Sequence, residues 1–207
     1  MSNKLMRVYK FGGASVKDAA GVRNVLRVLN ELKASDTVVV ISAMGKMTNA
    51  FETVVQLYFD KQKAEGSEKK SATVNSQLKS IEDFHFQIVK DLGFQDSQPV
   101  LKEVEALLKG VHTFLKNNDS DSYDFVYDQV VSCGELISTR ICSAFLNEKG
   151  LENDWLDVRD CIVTNSDFRR AKVDWNATCN QINKRVGRNK ITLTQGFLGG
   201  DAQGNTT

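Results

Sequence analysis

The sequence predicts an α/β domain, a three-layer α/β/α sandwich with a mostly parallel central sheet and an inserted helical hairpin. Three observations predict it. An apolar run from Leu5 to Phe11 feeds into Gly12-Gly13 and then into an amphipathic helix. The stretch Thr37-Val-Val-Val-Ile41 is continuous and β-branched, as a parallel strand covered on both faces tends to be. A further run, Lys190 to Gln195, ends in a second glycine-rich loop, Gly196-Phe197-Leu-Gly199-Gly200.

Taken in order, residues 5–11 read as a buried strand and 18–33 as a helix. Val22, Val25, Leu26, Leu29 and Leu32 share one face of that helix, and Asp18 sits at its dipole-favoured start. The strand 37–41 completes a β-α-β unit. The small, polar stretch Ser42 to Asn49 follows, and then a helix carrying Phe51, Val54, Val55, Tyr58 and Phe59 on one face. Residues 60–70 read as an exposed loop. Two helical stripes come next, Val74 to Leu92 and Val100 to Leu115, with Gly93 closing the first and Asp96-Ser97-Gln98-Pro99 opening the second. His85 and His112 lie on or beside these apolar faces and read as packing residues. After a loop at Asn117 to Ser122, one long helix is expected from Tyr123 to Glu148. Short strands are expected at 154–158 and 161–164, with 168–174 a polar connection that can hold another. A helix at 175–186 has Trp175, Cys179, Ile182 and Val186 in register.

Composition sets the limits. The chain has 207 residues, 41% of them hydrophobic, with a formal net charge of +1. That balance gives no long-range pull toward nucleic acid or an anionic membrane, and no stretch has the apolar length of a membrane span. Four cysteines without a C-x-x-C pair, and only two histidines, argue against zinc and for reduced thiols. The N-terminus lacks a signal h-region, so a cytoplasmic protein is expected. The chain stops inside a glycine-rich loop, at Asn205-Thr206-Thr207, so it is expected to be the N-terminal part of a longer protein.

The chemistry collects at the predicted strand ends. Gly12 and Gly13 allow the backbone to approach a ligand closely, and Lys10 is a mobile cation suited to a phosphoryl group. The spacing matches neither G-x-x-x-x-G-K-[ST] nor G-x-G-x-x-G, and on spacing alone an ordinary βα turn with a solvated lysine is the commoner reading. A glycine inside the expected helix 123–148, Gly134, needs a reason such as close approach of a ligand or another backbone. Glu135 beside it projects either into a site or into solvent.

Together these pieces resemble the aspartate kinases of the amino-acid kinase superfamily. Lys10-Phe-Gly-Gly-Ala-Ser-Val16 is similar to the opening K-F-G-G-T-S-V, with Ala14 in place of threonine. VVVISAMGKMTN (Val38 to Asn49) is similar to V-V-V-S-A-[MS]-x-G-x-T-[ND], and the segment around Gly134-Glu135 to S-x-G-E-x-[LM]-S. Asp157-Val158-Arg159 with Thr164 is similar to D-V-R…T-[ND], and Thr194 to Gly199 to T-Q-G-F-[IL]-G. The resemblance spans essentially the whole chain.

It implies one amino-acid kinase catalytic domain over 1–207, with its helical insertion at about 70–117. The implied activity is transfer of phosphate from ATP to the side-chain carboxylate of L-aspartate, the first step toward lysine, threonine and methionine. Lys10 is implied to neutralise the phosphoryl group. Lys10, Phe11, Gly12, Gly13, Thr206 and Thr207 would contact the nucleotide phosphates. Ser42, Thr48, Glu135 and Phe197 would bind aspartate, with Glu135 on the α-ammonium. Mg²⁺ would be held by ATP and water, with no protein metal site. The complete enzyme is expected to be a homo-oligomer with its nucleotide-base pocket and regulatory domains downstream, and this chain alone to be inactive. The alternatives are a non-catalytic lobe or a glutamate, acetylglutamate or uridylate kinase.

Overall fold

The computed structural model describes residues 6–62, 67–95, 98–188 and 190–207. Four strands form one sheet: β1 (Arg7–Phe11), β2 (Thr37–Ile41), β3 (Asn153–Leu156) and β4 (Ile191–Gln195), in the order β1-β2-β4-β3. Every neighbouring pair is parallel. Phe11 is level with Ile41, Ile41 with Gln195, and Leu156 with Thr194, so all four strands end along one edge. This is the α/β fold with a parallel sheet that the sequence predicts.

The helices are α1 (Ala19–Glu31), α2 (Met47–Gln62), α3 (Ser67–Leu92), α4 (Pro99–Asn117), α5 (Tyr123–Val131), α6 (Cys133–Glu148) and α7 (Trp175–Arg185). The Asp18 carboxylate caps α1 by accepting the Gly21 N–H at 2.8 Å. Helices α3 and α4 are the expected hairpin. Gly93 ends the first with φ +93°, and Pro99 opens the second at a position where its missing N–H leaves no bond unmade. Asp96 and Ser97, also expected there, lie outside the described residues. Helix α6 is buried on nearly all sides, and its interior hydroxyls find partners; Ser138 Oγ–H donates to the Ser42 carbonyl at 2.7 Å and Ser143 to Asn153 at 2.7 Å. Phe51, Ile81, Ile137, Ile141, Phe145 and Leu193 fill the core around it. Among the described residues no helix is long and apolar enough to cross a membrane.

Several expectations need correction. Strand β1 is not buried. It pairs only with β2 among the described residues, so Val8 is 65% exposed while Tyr9 and Phe11 turn toward the helices. The expected loop at 60–70 is narrower, with α2 running to Gln62 and α3 starting at Ser67, although Gly66 lies outside the described residues. The expected helix 123–148 is interrupted at Ser132, whose hydroxyl donates to the Gln129 carbonyl at 3.2 Å and competes with the helix ladder. Residues 161–164 and 168–174 make isolated bridges, Val163 to Gly200 and Thr164 to Val173, rather than strands. Trp175 is 70% exposed and Cys179 is exposed, so the register on α7 is not a buried face; Thr178 is its buried residue, accepting the Val163 N–H at 3.0 Å. His112 is exposed rather than packed. The other three cysteines are buried and free.

His85 does pack, at 0% exposure. Its Nδ1–H donates to the Ile81 carbonyl at 2.8 Å, and Nε2 has no partner. Burial, partly offset by that carbonyl, pulls its pKa down to about 4. The unfolded ring titrates near 6.5, so the fold is favoured above that pH and loses stability as pH falls toward 4, by on the order of 2–3 kcal/mol. Denaturant midpoints of wild type and His85→Leu, measured from pH 7 to 4.5, are expected to show the wild type falling relative to the variant as pH drops. Parallel curves would show that His85 does not titrate on unfolding.

Candidate functional site

The site is built at the carboxyl edge of the sheet, where parallel strands leave a crevice. Lys10 is the penultimate residue of β1, exposed, and after Phe11 the chain turns at Gly12 into a 3₁₀ turn, Gly13–Val16. The loop after β2 packs directly on this turn. Ser42 N–H donates to the Phe11 carbonyl at 3.1 Å, and Gly45 N–H to the Gly13 carbonyl at 3.0 Å. A Cβ on Gly13 would lie 2.6 Å from the Ala43 carbonyl oxygen, so two backbones meet where only glycine fits. Thr48 is half-buried in the first turn of α2.

The start of α6 closes on the same loop. Gly134 would place a Cβ 3.2 Å from that of Ala43 and 3.4 Å from the Phe51 ring, which is the close approach its position in a helix demanded. One residue on, Glu135 is 4% exposed, and its Oε2 has no hydrogen-bond partner. Burial raises its pKa to about 7, against the pull of the Glu135 and Ala43 N–H groups. A buried carboxylate with half its acceptor capacity unused is suited to a cationic ligand group. Lys10, Phe11, Gly12, Gly13, Ser42 and Glu135 thus share one cluster of strand ends, loops and a helix start.

A second wall comes from the loop after β4. Phe197, at φ +72° and 82% exposed, stands beside a cavity of about 400 Å³ that Tyr127, Asp128, Arg169, Arg170 and Thr207 also line. Thr206 faces inward. Its N–H donates to Gln129 Oε1 at 3.0 Å, its carbonyl accepts from Gln129 Nε2 at 2.8 Å, and its hydroxyl accepts from Arg159 Nη1 at 3.1 Å. Arg159 is held by Asp157 through two contacts, of 2.9 and 2.6 Å. Thr207 pairs with Gly199 through the backbone and shares a 2.6 Å hydrogen bond with the Thr164 hydroxyl.

Sequence reasoning missed the roles of Asp128, Gln129 and Arg169. Arg159 was visible only as part of a motif. The grip of Gln129 on a chain segment 77 positions away had no local signal.

The amino acid kinase family profile matches residues 6–207. The chain is 31% identical over 205 residues to the lysine-sensitive aspartokinase 3 of Escherichia coli (strain K12), covering 97% of this chain and 42% of that protein. It is 31% identical over 200 residues to the chloroplastic aspartokinase 1 of Arabidopsis thaliana, covering 93% of this chain and 33% of that protein. The chain therefore spans between a third and about two-fifths of the length of these relatives. The structure of E. coli aspartokinase III in complex with aspartate and ADP superposes with a TM-score of 0.82 at 26% identity, over 98% of this chain and 43% of that one. The family profile covers nearly the whole chain and the fold superposes on a solved aspartokinase, so the chain belongs to the amino acid kinase family.

Proposed function

We propose that this chain is the substrate-binding part of an aspartate kinase, which transfers a phosphoryl group from ATP to the side-chain carboxylate of L-aspartate to give 4-phospho-L-aspartate. The observation that carries the reading is Glu135, a buried carboxylate with an unpartnered oxygen at the carboxyl edge of the sheet. An α-ammonium group is the ligand part that satisfies it, and relatives named as aspartokinases make aspartate the first candidate.

The attacking carboxylate is ionised at neutral pH, so no general base is required, and catalysis reduces to positioning and charge neutralisation. Lys10 neutralises charge on the moving phosphoryl group. The Phe11-Gly12-Gly13 turn brings backbone N–H groups to the phosphates. Ser42 and Thr48 hydrogen-bond the amino acid, and Phe197 walls its pocket. Thr206 and Thr207 lie at the nucleotide phosphates in this reading; the Thr206 hydroxyl is held by Arg159 and the Thr207 hydroxyl by Thr164, so both are fixed in place beside the loop after β4. Mg²⁺ is assigned to the nucleotide phosphates and water, since it keeps several waters and is bound largely through substrate phosphates. The complete enzyme is proposed to be a cytoplasmic homo-oligomer.

The test is an aspartyl-hydroxamate assay with Mg-ATP on this chain and on the complete gene product, with glutamate as the competing acid. Hydroxylamine traps an acyl phosphate and so reports the product rather than ATP loss. The complete gene product is expected to give hydroxamate from aspartate and none from glutamate, and this chain alone to give none. From the complete gene product, glutamate as the only acceptor, or no trapped product at saturating aspartate, would overturn the reading.

A further inference from the structure

We propose that Asp128 and Gln129 are positioning residues, which together set the two walls of the cavity at Phe197 and so control how tightly the amino-acid substrate is held. The proposal rests on the reading above. The two residues are neighbours on α5, and successive helical side chains point about 100° apart, so each can take a different loop.

Asp128 takes the 167–171 segment. Its Oδ2 accepts the Arg169 N–H at 2.7 Å, at a residue held in the left-handed region with φ +60°. The Arg169 guanidinium then lies 4.4 Å over the Tyr127 ring and 3.3 Å from the Asp124 carboxylate, and Phe168 meets Phe125 at 5.0 Å. Gln129 takes the segment that leads into Thr207, which lines the same cavity. Its side-chain amide pairs with both backbone groups of Thr206, as a neighbouring strand would. Phe197 lines the same cavity, exposed and also in the left-handed region. Two non-glycine residues in that conformation, on separate loops of one cavity, persist where the surroundings over-determine them, and such residues cluster at ligand sites. Three positions beyond Gln129 the helix breaks at Ser132, and Glu135 follows. One short stretch of chain therefore carries both wall anchors and leads straight into the buried carboxylate.

Neither residue needs to touch substrate. Losing either grip frees a wall while the sheet and Glu135 stay in place. The test combines calorimetric titration of the 207-residue chain with L-aspartate and amide hydrogen exchange by NMR, on wild type, Gln129→Ala, Asp128→Ala and Asp128→Asn. Gln129→Ala is expected to raise the aspartate Kd at least fivefold and speed exchange at Thr206 at least tenfold, with Val39 and Leu193 unchanged. Asp128→Ala is expected to do the same at Arg169. Asp128→Asn keeps an oxygen acceptor and is expected to stay within twofold of wild type. Faster exchange at Thr206 or Arg169 with unchanged Kd would overturn the proposal, and so would weaker binding accompanied by faster exchange throughout the sheet, which is what a merely structural role predicts. Wild type that binds aspartate while the variants match it overturns this proposal alone; wild type that binds none overturns the function reading and this proposal with it.

Discussion

Glu135→Gln is expected to abolish aspartate binding and, at the same time, to make the chain more stable above pH 7. Both effects follow from one buried group. Burial lifts the Glu135 carboxyl from its ordinary range to about 7, and its Oε2 has no partner. Between pH 4.5 and 7 the folded chain holds a proton there that the unfolded chain has released. Stability is therefore greatest below the unfolded pKa and declines as pH rises toward 7, a penalty on the order of 3 kcal/mol that is fully present above it. Glutamine has nearly the same shape, retains an acceptor for the Ala43 N–H, and never ionises, so the penalty disappears. It also offers no charge to an α-ammonium group. Thermal unfolding of both forms at pH 5 and pH 8, with titration calorimetry beside it, checks the pair of effects. The variant's advantage is expected at pH 8 and should shrink at pH 5. Wild-type affinity for aspartate is expected to fall as pH drops below 7, because the ammonium must then displace a proton. A variant no more stable than wild type at pH 8 would mean that Glu135 is already ionised at little cost.

Lys10→Ala in the complete gene product is expected to lower kcat by about 10²–10³-fold, the typical effect of deleting one group that stabilises developing charge, with KM for aspartate within about twofold. Lys10 lies exposed as the penultimate residue of β1, close to the glycine turn that packs on the Ser42 loop. In the proposed mechanism its charge acts on the phosphoryl group in transfer and makes no contact with the amino acid. Lys10→Arg is expected to recover little, since a planar fork does not substitute for a compact ammonium placed by a flexible stem. Steady-state kinetics with hydroxylamine trapping measure the split. A KM loss as large as the kcat loss would place Lys10 on the amino acid instead.

The site was readable wherever function depends on local chain geometry. Gly12-Gly13 after an apolar run announces a turn that admits close backbone contact, and the structure uses Gly13 in that way against Ala43. Gly134 inside a helical pattern asked for a tight neighbour, and Ala43 and Phe51 supply it. Glu135 could be noticed in the sequence, but its burial could not, since a glutamate facing solvent is spelled the same way. The Gln129 pairing with Thr206 joins residues far apart in sequence, and no periodicity or spacing marks it.

The sequence by itself determined the strands β1, β2 and β4, the helical hairpin and the glycine turns, because these follow from side-chain periodicity and from φ preferences that act over a few residues. Only the tertiary structure decided that β1 lies at the sheet edge with Val8 open, that the helix breaks at Ser132, that Trp175 faces outward, and that Glu135 is buried with a free oxygen. Each of these depends on which distant segment packs alongside, and the free energy of burial is set by that neighbour rather than by the residue's own place in the chain.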